Sequence, residues 1–135
     1  MGARSLTTVL LDTHVVHWWS AEPRRVSRGA ARALEEADEL AVAAISWFEL
    51  AWLADNERIV LSIPARSWLE GLAAQVRTVG ITPAIADTAV SLPSTFPGDP
   101  ADRLIFATAI EHGWHLVTKD RRIRDHRHPG SRVVW

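Results

Sequence analysis

The apolar positions along the chain switch repeatedly between short unbroken runs and three-and-four spacing. Val9-Leu10-Leu11 is an unbroken apolar run, the pattern of a strand buried on both faces, and it stops at Asp12. Asp12-Thr13 opens a helical segment, His14 to Trp19, which ends near Pro23. Ser27 caps a second helix to about Asp38, with Ala30, Ala31, Ala33, Leu34 and Ala37 on its buried side. Leu40 to Ala44 is the next strand. It delivers Ser46-Trp47-Phe48-Glu49, which has the capping-box spacing of Ser, two residues, then Glu. The helix that follows, to about Asn56, is apolar nearly all round. Such a helix is either wholly buried or covered by a partner, so a dimer or partner surface is expected here, with core packing the alternative.

Pro64-Ala65 begins a further helical pattern, with Trp68, Leu69, Leu72, Ala73 and Val76 in step, ending at Gly80. Ile81-Thr82 is a brief strand candidate, Ala84 to Leu92 a short helix after Pro83, and Ser94 to Gly98 a loop. Asp99 then stands at a helix N-cap, Pro100 at the first helical position and Asp102 three residues after the cap. Leu104, Ile105, Ala107, Thr108 and Ile110 give that helix a broad face to bury. Gly113 is its C-cap, Trp114 to Thr118 a strand ending at Lys119-Asp120, and Val133 to Trp135 a last, edge strand. Strands alternating with helices predict one α/β domain over residues 1–135: three layers, α/β/α, around a mostly parallel sheet with right-handed crossovers.

Composition narrows the function classes only a little. A length of 135 residues fits one domain, and 47% hydrophobic residues suffice for one core. Fifteen basic against sixteen acidic residues leave a net charge of −1, so any polyanionic partner must be met by a local patch. The absence of cysteine excludes disulfides and thiolate metal sites and is compatible with the cytoplasm. Met1 to Thr8 is too short and polar for a signal peptide, and no apolar run approaches the roughly 20 residues that span a membrane.

The chemistry lies in the acids. In a parallel α/β sheet, strand C-termini and helix N-termini share one rim, where such folds place their sites. Asp12 and Asp120 end strands; Glu49, Asp99 and Asp102 begin helices. Each has a structural alternative: Asp12 and Asp99 as caps, Asp102 as a complement to the helix dipole, and Glu49 as the reciprocal partner of Ser46. Gathered in one cleft they would repel by roughly 4 kcal/mol per pair at about 4 Å and an effective dielectric near 20. They therefore lie apart, hold protons, or bind a cation. An all-oxygen donor set suits Mg²⁺ or Mn²⁺, and such ions can activate water for phosphodiester cleavage.

Leu10-Leu11-Asp12-Thr13-His14 with Trp18-Trp19, Ser46-Trp47-Phe48-Glu49, Asp99-Pro100-Ala101-Asp102-Arg103, Leu116-Val117-Thr118-Lys119-Asp120 and Arg132-Val133-Val134-Trp135 together resemble a PIN-domain ribonuclease, and most of all the VapC-type toxins of bacterial toxin–antitoxin pairs. The resemblance spans nearly the whole chain in order. It implies a Mg²⁺- or Mn²⁺-dependent endoribonuclease, usually a homodimer, held inactive by a cognate protein antitoxin. By motif position it assigns catalysis and metal binding to Asp12, Glu49, Asp102 and Asp120, with Asp99, Thr13 and Thr118 in support. Relatives with these motifs often carry histidine and an aromatic residue where Pro97 and Ala101 stand, and a lysine where Leu53 stands. These departures spare the acids and bear on which RNA is cut.

Lys119 to Arg132 holds Lys119, Arg121, Arg122, Arg124, Arg127 and Arg132 against Asp120 and Asp125. Lys119, Arg121 and Arg122, with Arg103, are candidates to grip RNA phosphates. A solvated face is the alternative for the run, and an ion pair with Asp99 for Arg103. His126 and His128 lack a third metal ligand nearby; His14, His17, His112 and His115 are expected to be packing or surface residues, and Trp18, Trp19 and Trp114 to lie in the core. Two rival readings use the same fold: a phosphoacceptor signalling domain, which would separate its threonine and lysine where Thr118 and Lys119 are adjacent, and an inactive relative that binds RNA or protein without cutting.

Overall fold

The computed structural model describes residues 6–135, so the expectation for Met1 to Thr8 falls largely outside it. The chain runs β1 (Thr8–Leu11), α1 (Thr13–Ala21), a 3₁₀ turn (Pro23–Arg25), α2 (Arg28–Glu36), β2 (Glu39–Ala43), α3 (Ala44–Asp55), α4 (Ala65–Ala73), β3 (Arg77–Val79), α5 (Pro83–Ser91), α6 (Pro100–His112), β4 (His115–Val117), α7 (Arg121–Arg124) and β5 (Val133–Val134). All the strand pairings of the described residues are parallel, in the order β3-β2-β1-β4-β5. The chain thus builds outward from β1 through β2 to β3, then jumps across β1 to β4. That reversal opens a crevice at the C-terminal ends of β1 and β4, the switch point at which open α/β sheets bind their ligands.

Strand alternation distributes the core. Val9, Leu11 and Val42 face a layer formed by α1, α2, α3 and α4, packing on Val15, Val16, Trp18, Ala30, Leu50 and Leu72. Leu10, Ala41 and Leu116 face the other way, against Ile105, Phe106 and Ala109 of α6, Phe96 and Ile123. Helix α5 packs on α6 through Ile85, Ala89 and Ala107. The result is the three-layer α/β/α sandwich around a parallel sheet.

Local signals account for most element ends. Ser27 caps α2 through Ala30 N–H at 3.1 Å, Thr82 caps α5 through Ile85 N–H at 3.2 Å, and Gly113 closes α6 at φ 69°. Two boundaries depart from expectation. The α4 pattern stops at Ala73 instead of continuing to Gly80, and the strand is Arg77–Val79 instead of Ile81-Thr82. Parallel pairing of Arg77–Val79 with Ala41–Ala43 overrides the helical spacing of Val76, which packs on the core from the connection. The capping box is also absent. Helix α3 begins at Ala44, one turn earlier than the motif implied, and Ala43 makes no side-chain cap. Ser46 is therefore inside the helix and fully buried.

Candidate active site

The crevice at the β1/β4 switch point is a cleft of about 990 Å³ whose lining includes Asp12, Thr13, Glu49, Asp99, Asp102, Lys119, Asp120 and Arg122. Strand β1 ends by delivering Asp12, whose backbone N–H continues the ladder to Val117 O at 3.0 Å. Register pairs Leu11 with Val117, so Asp12 and Thr118 emerge side by side from the two central strands. The Thr118 hydroxyl donates to Asp12 Oδ2 at 2.6 Å, and the Thr13 backbone N–H donates to Oδ1 at 2.8 Å. Asp12 is both the cap of α1 and a buried acid, so the two readings of it are compatible. Burial raises its pKa, against the pull of these two donors.

Glu49 projects from α3 into the same cleft. Its partner is the Thr13 hydroxyl, which donates to Oε1, in place of the expected Ser46 N–H. Since that hydroxyl has a single proton, the Ser46 hydroxyl, 2.9 Å away, is the donor in its contact with Thr13 Oγ1. A relay of Ser46 to Thr13 to Glu49 thus fixes the acid, and it is a role for Ser46 that the capping-box spacing concealed. Burial raises the Glu49 pKa, with Asp12 and Asp99 adding repulsion.

Helix α6 brings the next two acids. Asp99 caps it, accepting from Ala101 N–H at 2.8 Å and Asp102 N–H at 3.4 Å, with Pro100 at the first helical position. Asp102 then points into the cleft, and its pKa is pushed up to about 7 by burial first and then by the carboxylates of Asp12, Asp99, Glu49 and Asp120. Asp120 behaves in the opposite way. It caps α7, takes Arg122 N–H at 2.9 Å and pairs with Arg122 Nη2 at 2.9 Å, and that pairing holds its carboxyl below the usual range. The same Nη2 lies 3.7 Å from Asp102. Thr118 joins both ends of the site, since its Oγ1 also accepts from Asp120 N–H at 3.1 Å.

Whether these residues suit a hard divalent cation is answered by their chemistry. The donors are carboxylate oxygens, and three of the carboxyl groups are raised by burial and mutual repulsion, a cost that a bound cation relieves. Among the described residues, however, no three acidic, histidine or cysteine side chains stand close enough together to hold a metal ion as they are placed. A cation held here would need water to complete its coordination, which Mg²⁺ tolerates.

Lys119 stands at the rim with Nζ 5.6 Å from the Trp18 ring, and Arg25 covers the same ring at 4.7 Å. Both line the cleft, as do Arg58, His14, His17, Phe48 and Trp52. Arg25 and Arg58 carried no sequence signal, because their approach depends on how α1 and the segment after α3 fold back toward the switch point. Arg121 is exposed and off the cleft lining. The assignment of Arg103 is corrected. Its guanidinium donates to the carbonyls of Pro97, Ala89, Leu92, Pro93 and Phe96, and among the described residues it makes no ion pair with Asp99, so its donors are engaged within the chain. Trp18 is buried, as expected, and stacked by His14, while His126 is wedged edge-on against Phe96 and Phe106, a packing role its sequence position did not suggest.

Comparison with known proteins places this geometry. The PIN domain family matches residues 9–129. Ribonuclease VapC22 of Mycobacterium tuberculosis (strain ATCC 25618 / H37Rv) is 73% identical over 130 residues, covering 96% of this chain and all of the relative. Among solved structures, DNA-bound VapBC from Salmonella typhimurium superposes with a TM-score of 0.70 at 20% identity, over 95% of this chain and 97% of that one. VapBC2 from Rickettsia felis, bound to a DNA fragment from the promoter, gives 0.69 at 17% identity, over 94% and 97%. With the family match spanning nearly all of β1 to α7 and a VapC relative at this identity, the chain belongs to the PIN-domain family, in its VapC branch.

Proposed function

We propose that this protein is a Mg²⁺- or Mn²⁺-dependent endoribonuclease toxin, with Asp12, Glu49, Asp102 and Asp120 as its metal-binding and catalytic acids. The observation that carries the proposal is the convergence of these four side chains, from two strand ends and two helices, on the switch-point cleft. The identity to a protein named as a ribonuclease supports RNA as the substrate. The reaction is phosphodiester hydrolysis: water adds to phosphorus and a P–O ester bond breaks. A divalent ion bound among the acids supplies charge neutralisation, a more acidic water and stabilisation of developing negative charge.

The chain's own residues orient and hold. Thr118 and Thr13 fix the rotamer of Asp12, and Ser46 and Thr13 fix that of Glu49. Lys119 and Arg122, at the rim, meet the phosphates of an RNA strand and offset the acidic floor. A single-stranded loop fits such a cleft better than a regular duplex, whose bases are closed to side chains. Phe48, 67% exposed, and Trp52, 48% exposed, form an apolar wall that continues past Val60 and Ile63. This surface is assigned to a cognate antitoxin, as the VapBC complexes among the structural neighbours suggest; homodimerisation and cytoplasmic location belong to the same reading. No helix of the described residues is long and apolar enough to cross a membrane.

The test is incubation of total and transfer RNA with purified, antitoxin-free protein in Mg²⁺ or Mn²⁺, beside EDTA and Asp102→Asn controls. Discrete fragments that vanish in both controls are expected. Metal binding without any cleavage would favour a non-cutting RNA- or protein-binding module instead.

A further inference from the structure

We propose that Arg103 is a positioning residue, a strap that fixes the N-terminus of α6 and thereby holds Asp99 and Asp102 at the cleft. A guanidinium has five N–H groups. Here Nε donates to Pro97 O at 3.1 Å, Nη1 to Ala89 O at 3.2 Å and Leu92 O at 3.0 Å, and Nη2 to Pro93 O at 3.2 Å and Phe96 O at 3.4 Å. Every donor is used, and none remains for a phosphate or a carboxylate.

The five acceptors explain why arginine stands there. Ala89 lies in the last turn of α5, where its carbonyl has only a long backbone bond, 3.5 Å from Leu92 N–H, and a cation is favoured. The connection onward, Leu92 to Pro100, contains Pro93, Pro97 and Pro100, each without an N–H, so its carbonyls have few backbone donors to meet. Arg103 supplies them from a single side chain. It also brackets the cap: its backbone N–H bonds Asp99 O at 3.1 Å while its side chain holds Pro97, two residues before. Asp99 in turn accepts from the Asp102 N–H, so the chain of contacts runs from Arg103 to the acid in the cleft. Phe96, packed on Phe106 at 4.7 Å and under the guanidinium at 5.9 Å, anchors the far side of the strap. Lysine cannot replace it, since one ammonium has three donors on a different fan.

The catalytic part of this inference rests on the nuclease reading; the strap itself does not. The experiment compares Arg103→Lys and Arg103→Met with the parent protein by amide hydrogen exchange, Mn²⁺ titration and RNA-cleavage kinetics. Exchange in peptides covering 92–102 is expected to quicken at least about tenfold while those of β1 and β4 are unchanged, and Mn²⁺ affinity to fall roughly tenfold in both variants. Cleavage should lose kcat with KM held within about twofold. Should Arg103→Met not fold, Arg103→Lys keeps the charge and the stem and carries the same comparison. Unchanged exchange at 92–102, or acceleration spread equally over β1 and β4, overturns the strap. A raised KM with kcat intact returns Arg103 to phosphate binding. If the parent protein cuts no RNA, exchange still decides on the strap, and the nuclease reading fails separately.

Discussion

Replacing Asp102 with asparagine should stabilise the metal-free protein, and do so only at high pH. In the fold the Asp102 carboxyl keeps its proton up to about 7, against 3.8 as its ordinary value. Between those limits the native state holds more protons than the unfolded chain, so the contribution of Asp102 is complete at low pH and is lost as pH rises through that window. At 1.36 kcal/mol per pH unit the shift sets a ceiling of about 4 kcal/mol. The side chain is 16% exposed and only partly desolvated, so solvent screening brings the figure to about 2 kcal/mol. The attraction to Arg122 that asparagine forgoes is weak by comparison, since Arg122 is 68% exposed and 3.7 Å away. Calorimetric melts in EDTA should then place Asp102→Asn roughly 6 °C above the parent at pH 8 and level with it near pH 4. Saturating Mn²⁺ at pH 8 should close the gap from the parent's side, by about 2.7 kcal/mol at a hundredfold excess over Kd. A variant less stable than the parent at pH 8 in EDTA, or a gap independent of pH, would refute the account of the cleft as a site under electrostatic strain.

Mn²⁺ affinity of the parent should fall by up to about tenfold per pH unit below 7 as the Asp102 proton competes with the cation, a slope that calorimetric titration should find reduced in Asp102→Asn. Thr118→Val removes the donor to Asp12 and the acceptor for Asp120 N–H, and should cost about 1–3 kcal/mol in urea denaturation, with Thr118→Ser close to the parent. Thr13→Val releases Glu49 and should lower the cleavage rate by roughly 10- to 100-fold, with Thr13→Ser recovering most of it. Phe48→Ala with Trp52→Ala should leave the melting temperature within a few degrees of the parent while abolishing co-elution with the cognate antitoxin, since both side chains are exposed; retained co-elution removes that surface from the assignment.

The fold was legible where local chemistry decides. Asp99-Pro100, Ser27 and Gly113 mark helix ends by their own hydrogen bonds or backbone angles, and each stands where the sequence put it. The unbroken Val9-Leu10-Leu11 run likewise announces a central strand. What failed was decided by distant partners. Arg77–Val79 is a strand only because β2 lies beside it, and its two exposed residues have no apolar signature. Ser46 and Glu49 have capping-box spacing, yet the position of the preceding strand end starts the helix at Ala44 and leaves Ser46 to meet Thr13 across the cleft. Arg103 is the sharpest case. Beside Asp102 in sequence it suggests a charge partner, and only the folded course from the end of α5 to Pro97 gathers five carbonyls around its guanidinium.

Asp102 differs from the other acids in what supports it. Asp12 is met by a hydroxyl and an N–H, Glu49 by a hydroxyl and Asp120 by a guanidinium, each donor favouring the charged form. Asp102 has no such donor at hydrogen-bond distance among the described residues, only Arg122 at 3.7 Å, while the four carboxylates around it add repulsion. Its position is held from behind instead, by the helix that Asp99 caps and Arg103 straps. Under the proposed metal-dependent reading, rigid placement without local neutralisation would keep the Asp102 oxygens free for an incoming cation, whose binding would relieve the repulsion. A donor added at Asp102 would steady the empty fold and weaken the site; the fold instead spends its donors on the loop one turn away.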